Sequence, residues 1–218
     1  MSTTEITPAT TPPTADKSKR RKAKAILAGG LVLGIGAAVT LAAWNDSEFV
    51  FGDFKSGGFN VQGSTNGVDF AEHSTADDKE NLSFSTNYDN LSANETVAAA
   101  YALRLDEKST YAASVGAAEA VAGGDATTAG KMSYGIIKVD SIAACTPDAT
   151  GTTIVAAGTA FGATPVVTPF VLAKPQEVNG TTAAGASTFV CIKVKADADL
   201  PQGKAVTATW KFVATSTP

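Results

Sequence analysis

Two cysteines, Cys145 and Cys191, are the residues of this 218-residue chain whose pairing would have the largest chemical consequence. In a protein that folds outside the cytosol, two thiols are more often joined in a disulfide than left free. A bridge that closes a loop of this size would stabilise the fold by roughly 3 to 4 kcal/mol. The alternative is two small buried side chains that never meet. The sequence predicts a Cys145–Cys191 disulfide if the chain is exported.

The only histidine, His73, lies in the charged segment 71–80, AEHSTADDKE. Five carboxylates lie close to it in sequence: Asp69, Glu72, Asp77, Asp78 and Glu80. Together these side chains could hold a divalent cation, but they do not follow an established ligand spacing. The alternative, which the missing spacing favours, is a solvated charged loop.

The sequence contains almost no arrangement of residues that is typical of a catalytic site. A single histidine excludes a metal face built from two histidines, and there is no His-Glu-x-x-His helix. Residues 124–131 look faintly like a phosphate-binding loop, but the glycine spacing is wrong and Met132 stands where Ser or Thr is required. Residues 197–199 begin like a calcium loop that then fails at Pro201. The sequence therefore predicts a protein that is not an enzyme and needs no cofactor.

Residues 17–43 decide in which solvent the rest of the chain folds. Six of the eight residues 17–24 are Lys or Arg, and the nineteen residues 25–43 carry no charge. A basic head, an apolar run and a small-residue exit are the three parts of an export signal. We expect a signal peptidase to cut between Ala43 and Trp44 and to deliver residues 44–218 outside the cell. Residues 1–16, rich in Thr and Pro, are predicted to be a disordered leader.

A permanent membrane anchor is the alternative interpretation of the same segment. Nineteen apolar residues lie within the roughly 17 to 25 that are needed to span a bilayer. Four glycines inside the run weaken such a helix, and the small residues at its end suit a peptidase. Under either interpretation, residues 44–218 lie outside, and an uncleaved signal would be their only contact with the membrane.

The charge of the exported part excludes one class of partner. Six of the 17 basic and two of the 21 acidic residues precede residue 44, so the remaining 175 residues carry a formal charge of −8. An acidic chain of this kind argues against binding nucleic acid. Its length fits a single domain with a substantial core.

Residues 44–218 alternate apolar and polar side chains with the period of β-strands. The segments 188–195 and 205–213 are the clearest half-buried strands. Asn66-Gly67 predicts a tight hairpin turn with a return strand over 68–70. Segment 96–105 is rich in Ala, but the alternation near its end favours a strand.

A short helix is predicted over 111–123, where Ala is abundant and two glycines follow. Pro169 predicts an edge strand or a bend over 166–172. Nine or ten short strands, separated by Gly, Asn and Pro, predict an all-β fold, an antiparallel two-sheet sandwich.

The residues around the predicted cleavage point read AAWND at 42–46 and FKSGGFNV at 54–61. They resemble the start of the TasA/camelysin family of exported proteins, whose unusual signals are cut by a SipW-type peptidase. Segment 199–212 is similar to the final strand of that family. The chain departs from the family pattern at Gly57-Gly58, where Gly-Thr is common, and at Phe59, where Leu is common. The resemblance implies a jelly-roll version of the sandwich and fibres of the biofilm matrix.

After cleavage at Ala43 the chain would begin WNDSEFVF, with Phe49, Val50 and Phe51 at the centre of an apolar, extended segment. Such a segment could complete a sheet edge in the next subunit, and head-to-tail addition that does not close makes a filament. We therefore expect a secreted structural protein of the extracellular matrix or cell surface that forms a homopolymer. Alternatively, 44–54 is the first strand of a monomer, and the protein is a free or membrane-anchored surface adhesin.

Overall fold

The computed structural model describes residues 19, 21–27, 52, 56–85 and 88–217. The chain divides into two units, Met1–Phe54 and Lys55–Pro218. In the first unit, residues 21–27 are helical. No helix among the described residues is long and apolar enough to cross a membrane. The predicted leader 1–16, most of the predicted signal segment 17–43 and residues 44–51 lie outside the described residues.

The second unit is built from strands. They are β1 (Val61–Ser64), β2 (Thr96–Leu105), β3 (Ala112–Gly124), β4 (Met132–Val139), β5 (Thr152–Ala160), β6 (Phe170–Leu172), β7 (Gln176–Val178), β8 (Thr181–Ala183), β9 (Thr188–Ala196) and β10 (Val206–Thr217). Three short helical segments accompany them: Ala76–Asp78, Ala126–Ala129 and Ile142–Ala144.

The strands form two main sheets, and all pairs of named strands are antiparallel. One sheet has the order β1-β2-β9-β4-β5 and the other β10-β3-β6, while β7 and β8 form a separate hairpin. The chain crosses between the two sheets after β2, after β3, after β5, between β6 and β9, and before β10, as in jelly-roll-like folds. The predicted antiparallel two-sheet sandwich is therefore confirmed.

The core lies between the two sheets and is filled by every second residue of the long strands. On β9, Val190, Ile192 and Val194 point into it, as predicted from their alternation. The other large contributors are Leu103, Leu105, Val115, Tyr134, Ile136, Ile154, Val155, Phe170 and Leu172. Full burial of one such side chain contributes roughly 1.5 to 3 kcal/mol, so this layer is the main stabilising element.

The helix predicted over 111–123 is wrong, because that segment is strand β3. Its buried alanines, such as Ala113, Ala118 and Ala120, face the core, and β10 pairs with it over twelve residues. Alanine favours a helix in an isolated segment, but a continuous partner strand satisfies the backbone of β3 and overrides that preference.

The return strand predicted over 68–70 is also wrong. The side-chain oxygen of Asn66 accepts hydrogen bonds from the backbone nitrogens of Val68 and Asp69, both at 2.8 Å. Because these nitrogens are held locally, the segment forms an irregular loop. A two-residue hairpin turn does occur at Asn179-Gly180, between β7 and β8, where both residues have positive φ (52° and 77°).

Two further expectations are confirmed. The Ala-rich segment 96–105 is strand β2, with Leu103 and Leu105 in the core. Strand β6 begins directly after Pro169 and lies at the edge of its sheet, the position at which a nearby proline is tolerated.

One glycine gives a direct test of the packing. A Cβ atom on Gly185, which is buried before β9, would lie 2.0 Å from the backbone carbonyl oxygen of Ala173. We expect Gly185→Ala to lower the free energy of unfolding by roughly 1 to 3 kcal/mol, because backbone must move to relieve the clash. Urea unfolding followed by circular dichroism measures the change. Gly116→Ala is the matched control, since nothing lies within 4 Å of its added Cβ; an equal loss in both variants would contradict the described packing.

Candidate functional site

Most of the residues predicted to act in export and assembly lie outside the described part of the chain. These are the cleavage pair, Ala43 and Trp44, and the donor residues, Phe49, Val50 and Phe51. The structure describes both cysteines and the sheet edges on which a donated strand would dock.

The predicted disulfide is present. Cys145 and Cys191 are bonded, with their Cα atoms 5.2 Å apart and 46 positions apart in sequence. Cys191 lies at the middle of β9 and is fully buried, on the face of the sheet opposite to the core. The bond therefore fixes the segment after β4 onto the outer face of the five-stranded sheet.

That segment covers a second, smaller hydrophobic cluster. The cluster consists of Ala98, Val139 and Cys191, with Ile137, Cys145, Ala149 and Phe189 packed against it. The Lys193 ammonium adds a polar tether by donating to the carbonyl oxygen of Ala149 at 3.1 Å. Without this cover, the outer face of a central strand would be exposed to water.

The acidic loop around His73 does not gather its carboxylates as a cation site would. Only Glu80 reaches the ring at Nε2, at 3.4 Å, while Nδ1 lies 2.7 Å from the backbone oxygen of Asp78. Among the described residues, no three His, Cys, Asp or Glu side chains are placed to hold a metal ion. The contacts of His73 instead fold the loop on itself.

Strand β10 forms a long edge of the three-stranded sheet. It pairs with β3 from Val206 to Thr217, and within the described residues no strand pairs with its other side. Antiparallel strands direct about half of their backbone groups to each side, so this edge presents a row of donors and acceptors over twelve residues. Unpaired edges of this length are templates for strand addition.

The side chains of β10 separate into two faces. Trp210 and Phe212 pack against the core, and the Trp210 ring lies 6.0 Å from Phe84 and 6.3 Å from Tyr134 between centroids. On the other face Thr207, Lys211 and Val213 are exposed. The inner face therefore holds β10 in place, while no described strand covers its outer edge.

A second open stretch lies on β3. Strand β6 pairs only with residues Ala113–Val115, so β3 continues beyond its partner. There the backbone nitrogen of Gly162 donates to the oxygen of Ala120 at 2.8 Å. A shallow groove of about 290 Å³ runs beside this part of β3, lined in part by Val121 and Phe161. This stretch is shorter and partly occupied, so β10 is the better candidate edge.

The shifted ionisable groups in the core region have structural explanations. Burial, and then the negative charge and hydrogen bond of Glu80, raise the pKa of Tyr101 to about 12. Burial alone would raise the pKa of Asp106, but hydrogen bonds from Ser109, Asn60 and the Lys108 nitrogen outweigh it and lower that pKa. These bonds connect the turn after β2 to the residue before β1.

Comparison with models of known protein families gives no match, and comparison with curated proteins gives none either.

The disulfide should contribute strongly to stability. We expect the free energy of unfolding of the double variant Cys145→Ala/Cys191→Ala to be about 4 kcal/mol lower than that of the oxidised wild type. The reason is that the disulfide restricts a loop of 46 residues in the unfolded chain, and the variant removes this restriction. Urea unfolding with and without a reductant measures this. Reductant should lower the stability of the wild type to that of the variant and leave the variant unchanged. A variant as stable as the oxidised wild type would contradict this role.

Proposed function

We propose that this protein is a secreted, non-catalytic structural protein that assembles into extracellular fibres. In this proposal the N-terminal segment of one copy is donated to the open edge of β10 in the next copy. The observation that carries it is the twelve-residue edge of β10, which no described strand covers. Head-to-tail growth needs two complementary surfaces. The edge of β10 would be one, and the donor segment around Phe49–Phe51 would be the other.

The pairing would be stabilised by backbone hydrogen bonds and by apolar side chains. A donated strand would satisfy the outward backbone groups of β10, as in other cases of strand addition. Every second residue of the donor would face the sandwich, so Phe49 and Phe51 would lie on one side and Val50 on the other. Because each copy carries one donor and one edge, addition is head-to-tail, and it makes a filament when the rotation between copies does not close into a ring.

Secretion is supported by two independent features. The Cys145–Cys191 disulfide suits an oxidising environment outside the cytosol, where such bonds persist. The order of basic head, apolar run and small residues over 17–43 suits export and removal by a signal peptidase.

Membership of the TasA/camelysin family is part of the proposal. It rests on the residues at 42–46, 54–61 and 199–212, and the jelly-roll-like sandwich agrees with what that resemblance implies.

Fibre formation can be tested with variants of the donor segment. We expect cells producing the wild type to shed filaments visible by electron microscopy, and cells producing Phe49→Ser/Phe51→Ser to shed dispersed subunits. The reason is that both substitutions remove apolar contacts from the inward face of the donated strand. Val50→Ser is the matched control and should still form filaments, because its side chain would face outward.

Hydrogen exchange identifies the acceptor edge in the same material. In filaments, about half of the β10 amides should become protected relative to dissociated subunits, because only alternate amides point outward. Amides of β9, which is already paired on both sides, should not change. Protection of residues 116–124 in place of β10 would assign the acceptor to β3, and dispersed wild-type monomers would count against assembly itself.

Cleavage has its own measurement. N-terminal sequencing of the protein from culture medium should give Trp44 as the first residue, because small residues at 42 and 43 suit a signal peptidase. An intact Met1 in the membrane fraction would contradict release and support the membrane-anchored adhesin.

A further inference from the structure

Residues 65–80, which we call the strap, fold back after β1 and cover its outer edge. The backbone nitrogen of Gly63 donates to the oxygen of Ala71 at 2.8 Å, and the nitrogen of Ala71 donates to the oxygen of Gly63 at 3.0 Å. Both backbone groups of Gly63 therefore point away from β2, its partner on the other side. Because unpaired groups of an edge strand attract other chains, the strap occupies a position at which another strand could pair.

Glu80 closes the strap at its base. Its Oε1 atom accepts hydrogen bonds from the hydroxyl and the backbone nitrogen of Thr65, at 2.8 and 3.3 Å. The first and last residues of the strap are thereby joined. The second oxygen, Oε2, points to His73, two residues beyond the pairing residue Ala71, and lies 3.4 Å from its Nε2 atom.

The hydrogen bonds of His73 determine where its proton lies. Nδ1 is 2.7 Å from the carbonyl oxygen of Asp78, and a carbonyl only accepts, so Nδ1 carries a hydrogen. In the neutral ring Nε2 is then a bare acceptor, and it faces a carboxylate oxygen that is also an acceptor. Both atoms are shielded from water, and neither has a hydrogen-bond partner among the described residues. Two such acceptors are stable side by side only when a proton lies between them.

We propose that His73 and Glu80 form a proton-operated latch, which holds the strap over the edge of β1 while the imidazole is protonated and releases it when the imidazole loses its proton. The inference does not rest on fibre formation. It concerns a different edge from β10, and it would apply equally to a monomer.

The other charged groups near the pair favour the same behaviour. The Asp78 carboxylate lies 4.0 Å from Nδ1 and adds to the attraction for an imidazolium. The Lys79 ammonium is directed elsewhere, to the carbonyl oxygen of Ala76 at 3.1 Å. Tyr101, which faces Glu80, stays neutral because its pKa is raised to about 12. Two carboxylates, those of Asp78 and Glu80, therefore lie within 4.0 Å of the ring nitrogens, and Glu80 also accepts hydrogen bonds from Thr65 and Tyr101.

The sign of the pH dependence follows from this arrangement. While the imidazole is protonated, the imidazolium–carboxylate pair is intact and the strap is closed. When the ring loses its proton as pH rises, the attraction to the Glu80 carboxylate is lost and the edge of β1 is uncovered.

Amide exchange of the intact protein, followed by NMR in buffer with a chelator, tests the latch. Between about pH 5.5 and 8.5 we expect the protection of Gly63 and Ala71 to fall on the order of tenfold relative to that of Ile192, at the centre of the sheet. Referring both amides to Ile192 removes the intrinsic acceleration of exchange with pH. An unchanged ratio across this range would overturn the proposal.

Two variants separate the proton from simple packing. In Glu80→Gln the side-chain amide can donate to the bare Nε2 while its oxygen still accepts from Thr65, so protection should persist at high pH. In His73→Phe no proton can be shared, so Gly63 and Ala71 should be weakly protected at every pH. Unchanged protection of Ile192 shows that both variants are folded. If either variant keeps the pH-dependent fall of the wild type, the latch is wrong.

Discussion

The burial of β9 on both of its faces is the constraint on which the rest of the structure depends. It pairs with β2 on one side and β4 on the other, over eight residues each. Toward the sandwich, Val190 and Ile192 are buried in the core, and on the opposite face Cys191 is completely enclosed. Because the centre of β9 is buried on both faces, it needs a cover on each side, and the molecule supplies two different ones. The three-stranded sheet covers one face, and the disulfide-bonded segment covers the other.

The two covers of β9 are held in place by different interactions. The inner cover is a sheet whose strands β3 and β10 supply small alanines and large aromatic rings that fill the space above β9 and β4. The outer cover is an irregular segment that has few apolar residues of its own, so a covalent bond and the Lys193 tether hold it in place. Where apolar area is limited, a crosslink stabilises what packing alone would leave loose.

The outer edges of β1 and β10 differ in how their backbone hydrogen-bonding groups are satisfied. The short β1 carries a strap that uses its outward hydrogen bonds, whereas the long β10 has no described partner on its outer side. A protein that must avoid random association covers its edges, and one that assembles keeps a chosen edge available. Of these two edges, only that of β10 is long and has no described partner strand.

Much of the sandwich could be predicted because larger apolar side chains alternate with small or polar ones along several strands. Strands β9 and β10 have that alternation, and so does the end of β2 despite its alanines. Strand β3 could not be recognised, because small residues on both faces leave no alternation to read, and only the facing β10 decides between helix and strand. The return strand predicted over 68–70 did not form, because the Asn66 side chain accepts hydrogen bonds from backbone nitrogens that a hairpin would need.

By itself the sequence determined the fold class, because alternation acts through local composition. It predicted the Cys145–Cys191 pair on the condition that the chain is exported. It also determined the order of basic, apolar and small residues on which export is predicted. Only the tertiary structure decided which edge has no described partner strand, which edge is covered, and that Nε2 of His73 faces Glu80. Those features depend on contacts between residues that are distant in sequence or separated by an irregular loop. No local pattern in the sequence specifies which backbone groups remain unpaired once the sheets have formed.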